Sequence, residues 1–124
     1  MDYSKLSDQE INMAVAELFH PESMVIESKS RPPSACVTGH LPSKWVDYCN
    51  NPEDAWPIIE ENMISVCAYR QANPGMKEVS WWEADNFCEH ITRDDNPLRA
   101  AMIVFLQMQD SANVPANSTG SDIR

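Results

Sequence analysis

The sequence predicts an α+β fold in which three helices pack with a small antiparallel β-sheet. Three observations point to this class. Helix-start patterns precede three stretches of apolar periodicity, two alternating segments flank a turn sequence, and 124 residues with 43% hydrophobic side chains suit one core but not two. We therefore expect a single domain over residues 1–110 and a flexible, disordered tail over residues 111–124, which hold little to bury.

The first helix is predicted over residues 8–19. Ser7 can cap the free backbone amides at its start, and Glu10 can reach back to the amide of Ser7, so that the two side chains form a capping box. Apolar residues then recur at helical spacing. Pro21 ends the helix, because a proline disfavours the helical conformation of the residue before it.

Two short strands and a second helix are expected next. Residues 24–26 and 35–38 are β-prone and are separated by a loop of Ser and Pro. Asn51 can then cap a helix whose first position is Pro52, where no backbone N–H is needed. Pro57 lies further inside and predicts a kink or an irregular first turn, since its ring removes a backbone hydrogen bond.

The predicted sheet continues with residues 64–69 and 78–83, which have strand-like alternation. Asn-Pro-Gly at residues 73–75 favours a turn between them, so we expect an antiparallel pair to which residues 87–91 could add a third strand. The last helix is predicted over about residues 97–110. Its apolar residues cover most of the circumference, which indicates that it is the most buried element.

Charge limits the classes of partner. The chain has 9 basic and 19 acidic residues, a formal net charge of −10. Most of this lies in residues 47–96, which hold three basic and eleven acidic side chains and thus carry −8. Direct binding to nucleic acid is disfavoured, because contact with phosphates requires clustered Lys and Arg. A basic protein partner is compatible with this charge.

The compartment expected is the reducing cytoplasm. The sequence shows no signal-peptide pattern, and its longest apolar run, residues 100–106, is far shorter than the roughly 20 residues that span a bilayer. No membrane association is therefore expected. Four widely separated cysteines occur without a C-x-x-C motif and are predicted to be free thiols. They are Cys36, Cys49, Cys67 and Cys88.

No pattern of catalytic residues is recognisable, so no cofactor and no catalytic residue is assigned and an enzyme is disfavoured. One alternative is a metal-dependent enzyme whose site would assemble from Cys36, His40, Cys88 and His90. Their spacing matches no standard zinc module, and ordinary structural placements account for each of them. Adjacent carboxylates at residues 53–54, 60–61 and 94–95 are explained by helix starts and solvent-exposed faces.

The pair Trp81 and Trp82 is the clearest indication of a partner surface. Consecutive residues on a strand point to opposite faces, so a sheet covered on one face would expose one indole. A second layer or loop over the other face is the alternative. The candidate surface combines this pair with nearby acidic residues of the middle segment. It comprises Trp81, Trp82, Glu53, Asp54, Glu60, Glu61, Glu83 and Asp85.

A further alternative is an acidic protein that mimics nucleic acid and inhibits a defence or regulatory protein of the host. It requires the carboxylates of residues 47–96 to lie on one surface, where their field could attract a basic partner. Scattered around the fold, they would confer solubility only.

Three stretches carry a resemblance to a known family: MDYSKLSDQEIN at residues 1–12, DYCNNPEDAWPII at 47–59 and NPLRAAMI at 96–103. They resemble the NinX-like proteins of lambdoid phages and enterobacterial prophages. More distantly, the order of elements is similar to the phage α-β-α sandwich domain. The likeness spans about residues 1–110.

The resemblance implies a compact α-β-α arrangement encoded among accessory phage genes, and it supplies no catalytic residues. We therefore expect a phage or prophage accessory protein that acts, without catalysis, by binding a host or phage protein in the bacterial cytoplasm. The sequence identifies neither the partner nor the oligomeric state.

Overall fold

The computed structural model describes residues 2–39 and 42–112, and it confirms the α+β class. After a 3-10 turn at Tyr3–Lys5, the elements follow in this order: α1 (Asp8–Phe19), β1 (Met24–Glu27), β2 (Ala35–Thr38), β3 (Lys44–Val46), α2 (Pro52–Glu61), β4 (Ser65–Gln71), β5 (Val79–Asp85), β6 (Ile91–Asp94) and α3 (Pro97–Ala112). The strands form two antiparallel sheets, β1-β2-β3 (the N-terminal sheet) and β4-β5-β6 (the C-terminal sheet).

The helix starts follow the predicted chemistry. Ser7 and Glu10 form the capping box, with 3.1 Å from the Glu10 amide to Ser7 Oγ and 2.9 Å from the Ser7 amide to Glu10 Oε1. The Asn51 side chain accepts from the amide of Glu53 at 3.1 Å, and Pro52 is the first helical residue. These contacts satisfy amides that have no partner within the helix.

Helix α2 runs without interruption through Pro57, where a kink or an irregular first turn was expected. Both Pro57 and Glu53, the residue four positions earlier, are exposed. The Glu53 carbonyl, which loses its usual helical donor, therefore belongs to a residue on the solvent side, where water can replace the missing hydrogen bond.

Two strands differ from the prediction. The third strand of the C-terminal sheet is Ile91–Asp94 and not residues 87–91. Phe87 and Cys88 instead form the turn before it, with φ of 50° and 65°. Strand β3 was missed because three residues are too few for a readable alternation.

Helices α1 and α3 lie between the two sheets. Helix α1 packs on β1 and β2, α3 packs on all three strands of the C-terminal sheet, and both α1 and α2 contact α3. Every residue of Ala100 to Leu106 is buried, so α3 is the centre of the core, as predicted. Because α1 and α3 cover one face of each sheet, the outer faces of both sheets are available to solvent or to a partner.

Helix α3 continues through Ser111 and Ala112, which the sequence placed in the tail. Residues 113–124, the rest of that tail, lie outside the described residues, so the proposed division of the chain at residue 110 remains a prediction. Within residues 2–39 and 42–112, no helix is long and apolar enough to cross a membrane.

Candidate interaction surface

The alternation of the C-terminal sheet places Trp81 and Trp82 on opposite faces. Ala84 is fully buried, and alternation puts it on the face that carries Trp82. Trp81 opposes Tyr69 across the β4–β5 pair, on the other face. Since α3 packs against this sheet on the side of Ala84, Trp81 belongs to the outer face.

Four side chains of the outer face form a cluster around Trp81, which we call the Trp81 cluster. The rings of Tyr69 and Trp81 stack with 5.7 Å between their centroids and 10° between their planes. The Arg93 guanidinium lies 5.3 Å from the Trp81 centroid, and its Nε is 2.9 Å from Glu83 Oε2. Stacking, cation–π contact and ion pair hold these groups in one arrangement.

Electrostatics within the Trp81 cluster affect the phenol. Glu83 lies two residues beyond Trp81 on the same face of β5. Its negative charge is the largest cause that raises the pKa of Tyr69 above its ordinary value of 10.0. Because of this raised pKa, the Tyr69 phenol remains neutral over the physiological pH range. Since Tyr69 is also exposed, its hydroxyl can donate a hydrogen bond to a partner. The Trp81 indole N–H is shielded from solvent and has no hydrogen-bond partner among the described residues.

Trp82 faces the other way and is 36% exposed. It lines a groove of about 700 Å³ together with Ala68, Arg70 and Ser80, which share its face by alternation. Tyr69 and Trp81 of the outer face also line this groove. Asp95, just after β6, also borders this groove. Both indoles thus border this groove, although they belong to opposite faces of the sheet.

The ends of β4 and β5, with their connection, form an exposed β-hairpin. Every residue from 67 to 80, a stretch that we call the exposed hairpin, is exposed to solvent. Arg70 and Glu78 pair across it at 3.7 Å, with both side chains more than half exposed. The sequence predicted the hairpin and its turn but gave no sign that its distal half lacks cover on both faces.

The acidic candidates occupy two places. Glu53, Glu60 and Glu61 are exposed on α2, whereas Glu83 and Asp85 lie on the outer face of the C-terminal sheet. The sixth, Asp54, accepts hydrogen bonds from the Asp47 amide at 3.0 Å and from the Asn51 side chain at 3.1 Å.

Several carboxylates of the middle segment already have cationic partners. Glu83 pairs with Arg93, and Asp94 lies 3.4 Å from the guanidinium of Arg99. Such pairs weaken the field that a nucleic-acid mimic would present to a basic protein. The mimic therefore remains a prediction without structural support of its own.

The structure does not bring the proposed zinc ligands together. Cys36 lies in β2 of the N-terminal sheet, whereas Cys88 and His90 lie in the β5–β6 turn of the other sheet; His40 falls outside the described residues. Cys88 Sγ lies 3.7 Å from an Asp85 oxygen, and His90 Nε2 lies 3.1 Å from the Ser111 hydroxyl oxygen. Across the described ranges, no three His, Cys, Asp or Glu side chains could hold a metal ion.

A second apolar row, which the sequence did not suggest, lies on the outer face of the N-terminal sheet. Ile26, Cys36 and Trp45 oppose one another across its three strands. The Arg31 guanidinium lies 4.3 Å from the Trp45 centroid, which repeats the cation–π arrangement of the Trp81 cluster. Trp45 was not assigned to a strand in the sequence, so its pairing could not be foreseen.

The three stretches that carry the family resemblance meet around Arg99 and Asn96 of the last helix. Arg99 Nη1 lies 2.7 Å from Asp8 Oδ1, and its Nη2 donates to the carbonyls of Ser4 and Leu6. Asn96 caps α3 by accepting from the Leu98 and Arg99 amides. It also donates to the Cys49 carbonyl at 2.7 Å, which joins the middle stretch to the other two.

Asn12 extends this polar network into the core. Its side chain is fully buried and donates to the Pro33 carbonyl at 3.0 Å and to Asp47 at 2.8 Å. Its carbonyl oxygen accepts from the Cys49 amide at 3.1 Å. Burial raises the pKa of the Cys49 thiol, and the negative charge of Asp8 adds to the effect. A neutral thiol within a satisfied network fits a structural role better than a nucleophilic one.

Comparisons with known proteins identify the family of the chain. Neither the curated proteins nor the solved structures include a match to the chain. A family model described as "Bacteriophage P22, NinX" matches residues 2–109, a range that contains the three converging stretches except for residue 1, together with the core and both sheets. The chain therefore belongs to the NinX family of bacteriophage P22.

Proposed function

We propose that this chain is a phage accessory protein that works by binding another protein, and that the outer face of the C-terminal sheet is its recognition surface. The observation that carries the proposal is the Trp81 cluster on a sheet face that no described element covers. Family membership supports the accessory role. We further propose that the protein binds its partner without catalysis, in the cytoplasm of the bacterial host.

The chemistry of the cluster suits recognition. Trp, Tyr and Arg are the residues that most often dominate binding energy at protein interfaces, and here Trp81 contacts both Tyr69 and Arg93. Because stacking and the Arg93–Glu83 pair already order these side chains, little conformational entropy is lost when a partner binds. The cluster therefore has the composition and the order expected of a binding hot spot.

The exposed hairpin extends this surface. Exposed apolar side chains continue beyond the cluster, with Val79 at the start of β5 and Trp82 on the opposite face. Because each face carries an aromatic residue, a partner can contact both faces of the hairpin. The net charge of −10 favours a partner whose interface has a basic rim.

The test is comparative capture of partners from a host that carries the phage. Tagged wild-type protein and the variants Trp81→Ala and Trp82→Ala are used as bait, and recovered proteins are quantified by mass spectrometry. Trp56→Ala is the matched control, since Trp56 is 58% exposed on α2, away from the C-terminal sheet. We expect one set of host or phage proteins that wild type and Trp56→Ala recover equally and that Trp81→Ala loses at least tenfold.

Two results would contradict the proposal. One is equal recovery with all four baits. The other is a partner that depends on Trp56 alone, which would transfer recognition to α2. Circular dichroism and thermal unfolding of each variant separate loss of binding from loss of fold.

A further inference from the structure

The C-terminal sheet narrows from three strands to two beside Trp82. Strand β6 ends at Asp94, which pairs with Trp82, whereas β5 begins at Val79 and has only β4 beside it over its first residues. Asp95 follows the end of β6, and the groove of about 700 Å³ is lined by Asp95 and by residues of β4 and β5. This volume lies within the range of ligand-binding clefts. The early end of β6 therefore leaves room for a ligand beside Trp82.

Trp82 differs from the other tryptophans that lie in strands. Trp45 and Trp81 each have an arginine guanidinium near the ring, at 4.3 Å and 5.3 Å from the centroid. Within the described part of the chain, Trp82 makes no such contact with an arginine. Since Trp82 is 36% exposed, a cation of another molecule can reach it and make the cation–π contact that the other two indoles make within the chain.

The charges that line the groove leave one carboxylate unpaired. Arg70 Nε lies 3.7 Å from Glu78 Oε2, so these two opposite charges largely offset each other. Asp95 is exposed and has neither a hydrogen bond nor an ion pair with any described residue. The Ser80 hydroxyl likewise has no hydrogen-bond partner among those residues. The groove therefore combines an indole, a negative charge and an available acceptor.

We infer that this groove binds an arginine side chain of the partner protein, with the guanidinium against Trp82 and paired with Asp95. The inference rests on the proposed function for the source of the arginine, and it adds a contact at Trp82 to the one at the Trp81 cluster. Arginine suits the groove better than lysine, because a planar guanidinium can stack on an indole while its edge donates to a carboxylate and a hydroxyl. The net charge of −10 also attracts such a cation.

A free ligand tests the groove without the partner. The isotopically labelled full chain is titrated with acetyl-arginine amide, and NMR records the indole N–H signals, of which Trp82→Phe removes the one to be followed. We expect saturable shifts of the Trp82 signal and none of the Trp56 signal, because Trp56 lies on α2. Acetyl-citrulline amide has the same shape without the charge and should bind about tenfold more weakly. Acetyl-lysine amide should also bind less tightly than the arginine ligand.

Three variants test the residues that line the groove. Asp95→Asn keeps the shape of the side chain, removes its charge and should weaken binding about tenfold. Asp85→Asn makes the same change on the outer face of β5 and is the matched control, which should leave the affinity unchanged. Arg70→Met should strengthen binding, because it removes the nearest cation and leaves the Glu78 carboxylate available to the ligand.

Equal affinity for the arginine ligand and either of the other two ligands overturns the inference, as does an Asp95→Asn protein that binds as tightly as wild type. Binding that appears only in Arg70→Met also overturns it, because the chain's own guanidinium would then occupy the groove. As bait, Asp95→Asn should recover less of the partners that depend on Trp81. Undiminished recovery would reject the groove as a contact and leave the proposal for the Trp81 cluster intact.

Discussion

Arg99 of α3 and Asp8 of α1 form an ion pair at 2.7 Å, although 91 positions separate them in the sequence. The Arg99 side chain is only 13% exposed. It also donates hydrogen bonds to two backbone carbonyls and forms an ion pair with Asp94. One guanidinium therefore links the N-terminal turn, the first helix, the end of the C-terminal sheet and the last helix. A cation with this many partners stabilises mainly by leaving none of them unpaired.

Arg99→Met should lower the free energy of unfolding by about 3–5 kcal/mol, because it leaves a half-buried carboxylate and two carbonyls without their donor. Chemical denaturation measures the loss. Arg70→Met is the control: Arg70 is 74% exposed and its contact with Glu78 is 3.7 Å, so its removal should cost less than about 1 kcal/mol. Equal losses in the two variants would show that the Arg99 network is not a structural junction.

Asn12→Ala should destabilise the fold by about 2–4 kcal/mol. The Pro33 carbonyl and the Cys49 amide lose their partner together, the Asp47 carboxylate keeps only its contact with Asn50, and a buried unpaired group costs about 1–3 kcal/mol. Asn73→Ala, in the exposed turn between β4 and β5, controls for loss of an asparagine side chain. A change below 1 kcal/mol for Asn12→Ala would mean that water replaces these contacts.

Local chemistry made the helices predictable. The capping box at Ser7 and the Asn-Pro starts at residues 51–52 and 96–97 each act within a few residues, so α1 matched its predicted bounds and α2 and α3 began where expected. The continuous burial of α3 followed from its apolar circumference. Where the structure differed from the prediction, the reason lay outside the local sequence pattern. Helix α2 accommodates Pro57 on its solvent side, and β3 pairs with β2, from which it is separated along the chain.

Only part of the candidate surface could be predicted from the sequence. Adjacent indoles on a strand must point in opposite directions, and this rule placed Trp81 and Trp82 correctly on two faces. The contacts that make Trp81 part of a cluster depend on register, which no local pattern specifies across a seven-residue connection. For the same reason Trp45 and Arg31 gave no signal, since their contact depends on a strand of three residues.

The β5–β6 turn should become more stable when its residues match its backbone. Phe87 and Cys88 have φ of 50° and 65°, a region in which Asn and Gly are favoured. The double variant Phe87→Asn with Cys88→Gly should therefore raise the free energy of unfolding by about 1 kcal/mol. Thermal and chemical denaturation would detect the gain.

Gly75→Ala provides the opposite control for that turn. Gly75 has φ of 79° and nothing within 4 Å of an added Cβ, so alanine there meets backbone strain alone and should cost about 1 kcal/mol. A double variant that is less stable than wild type would show that the exposed Phe87 side chain, 74% accessible, makes a stabilising contact that outweighs the strain.

Stability should decrease at alkaline pH, and Tyr48→Phe should reduce that decrease. Burial raises the pKa of Tyr48 above its ordinary value of 10.0, and it raises the pKa of Cys49 above 9.0. The folded chain then keeps protons that the unfolded chain releases, so stability is complete below about pH 9 and falls as the pH rises, by about 1.4 kcal/mol per pH unit for each such group. The Tyr48 hydroxyl has no hydrogen-bond partner among the described residues, so Tyr48→Phe should be neutral or stabilising at pH 7. Urea denaturation of wild type and Tyr48→Phe between pH 7 and about pH 11 measures both effects, and parallel profiles for the two proteins would show that the Tyr48 phenol ionises as readily in the folded chain as in the unfolded one.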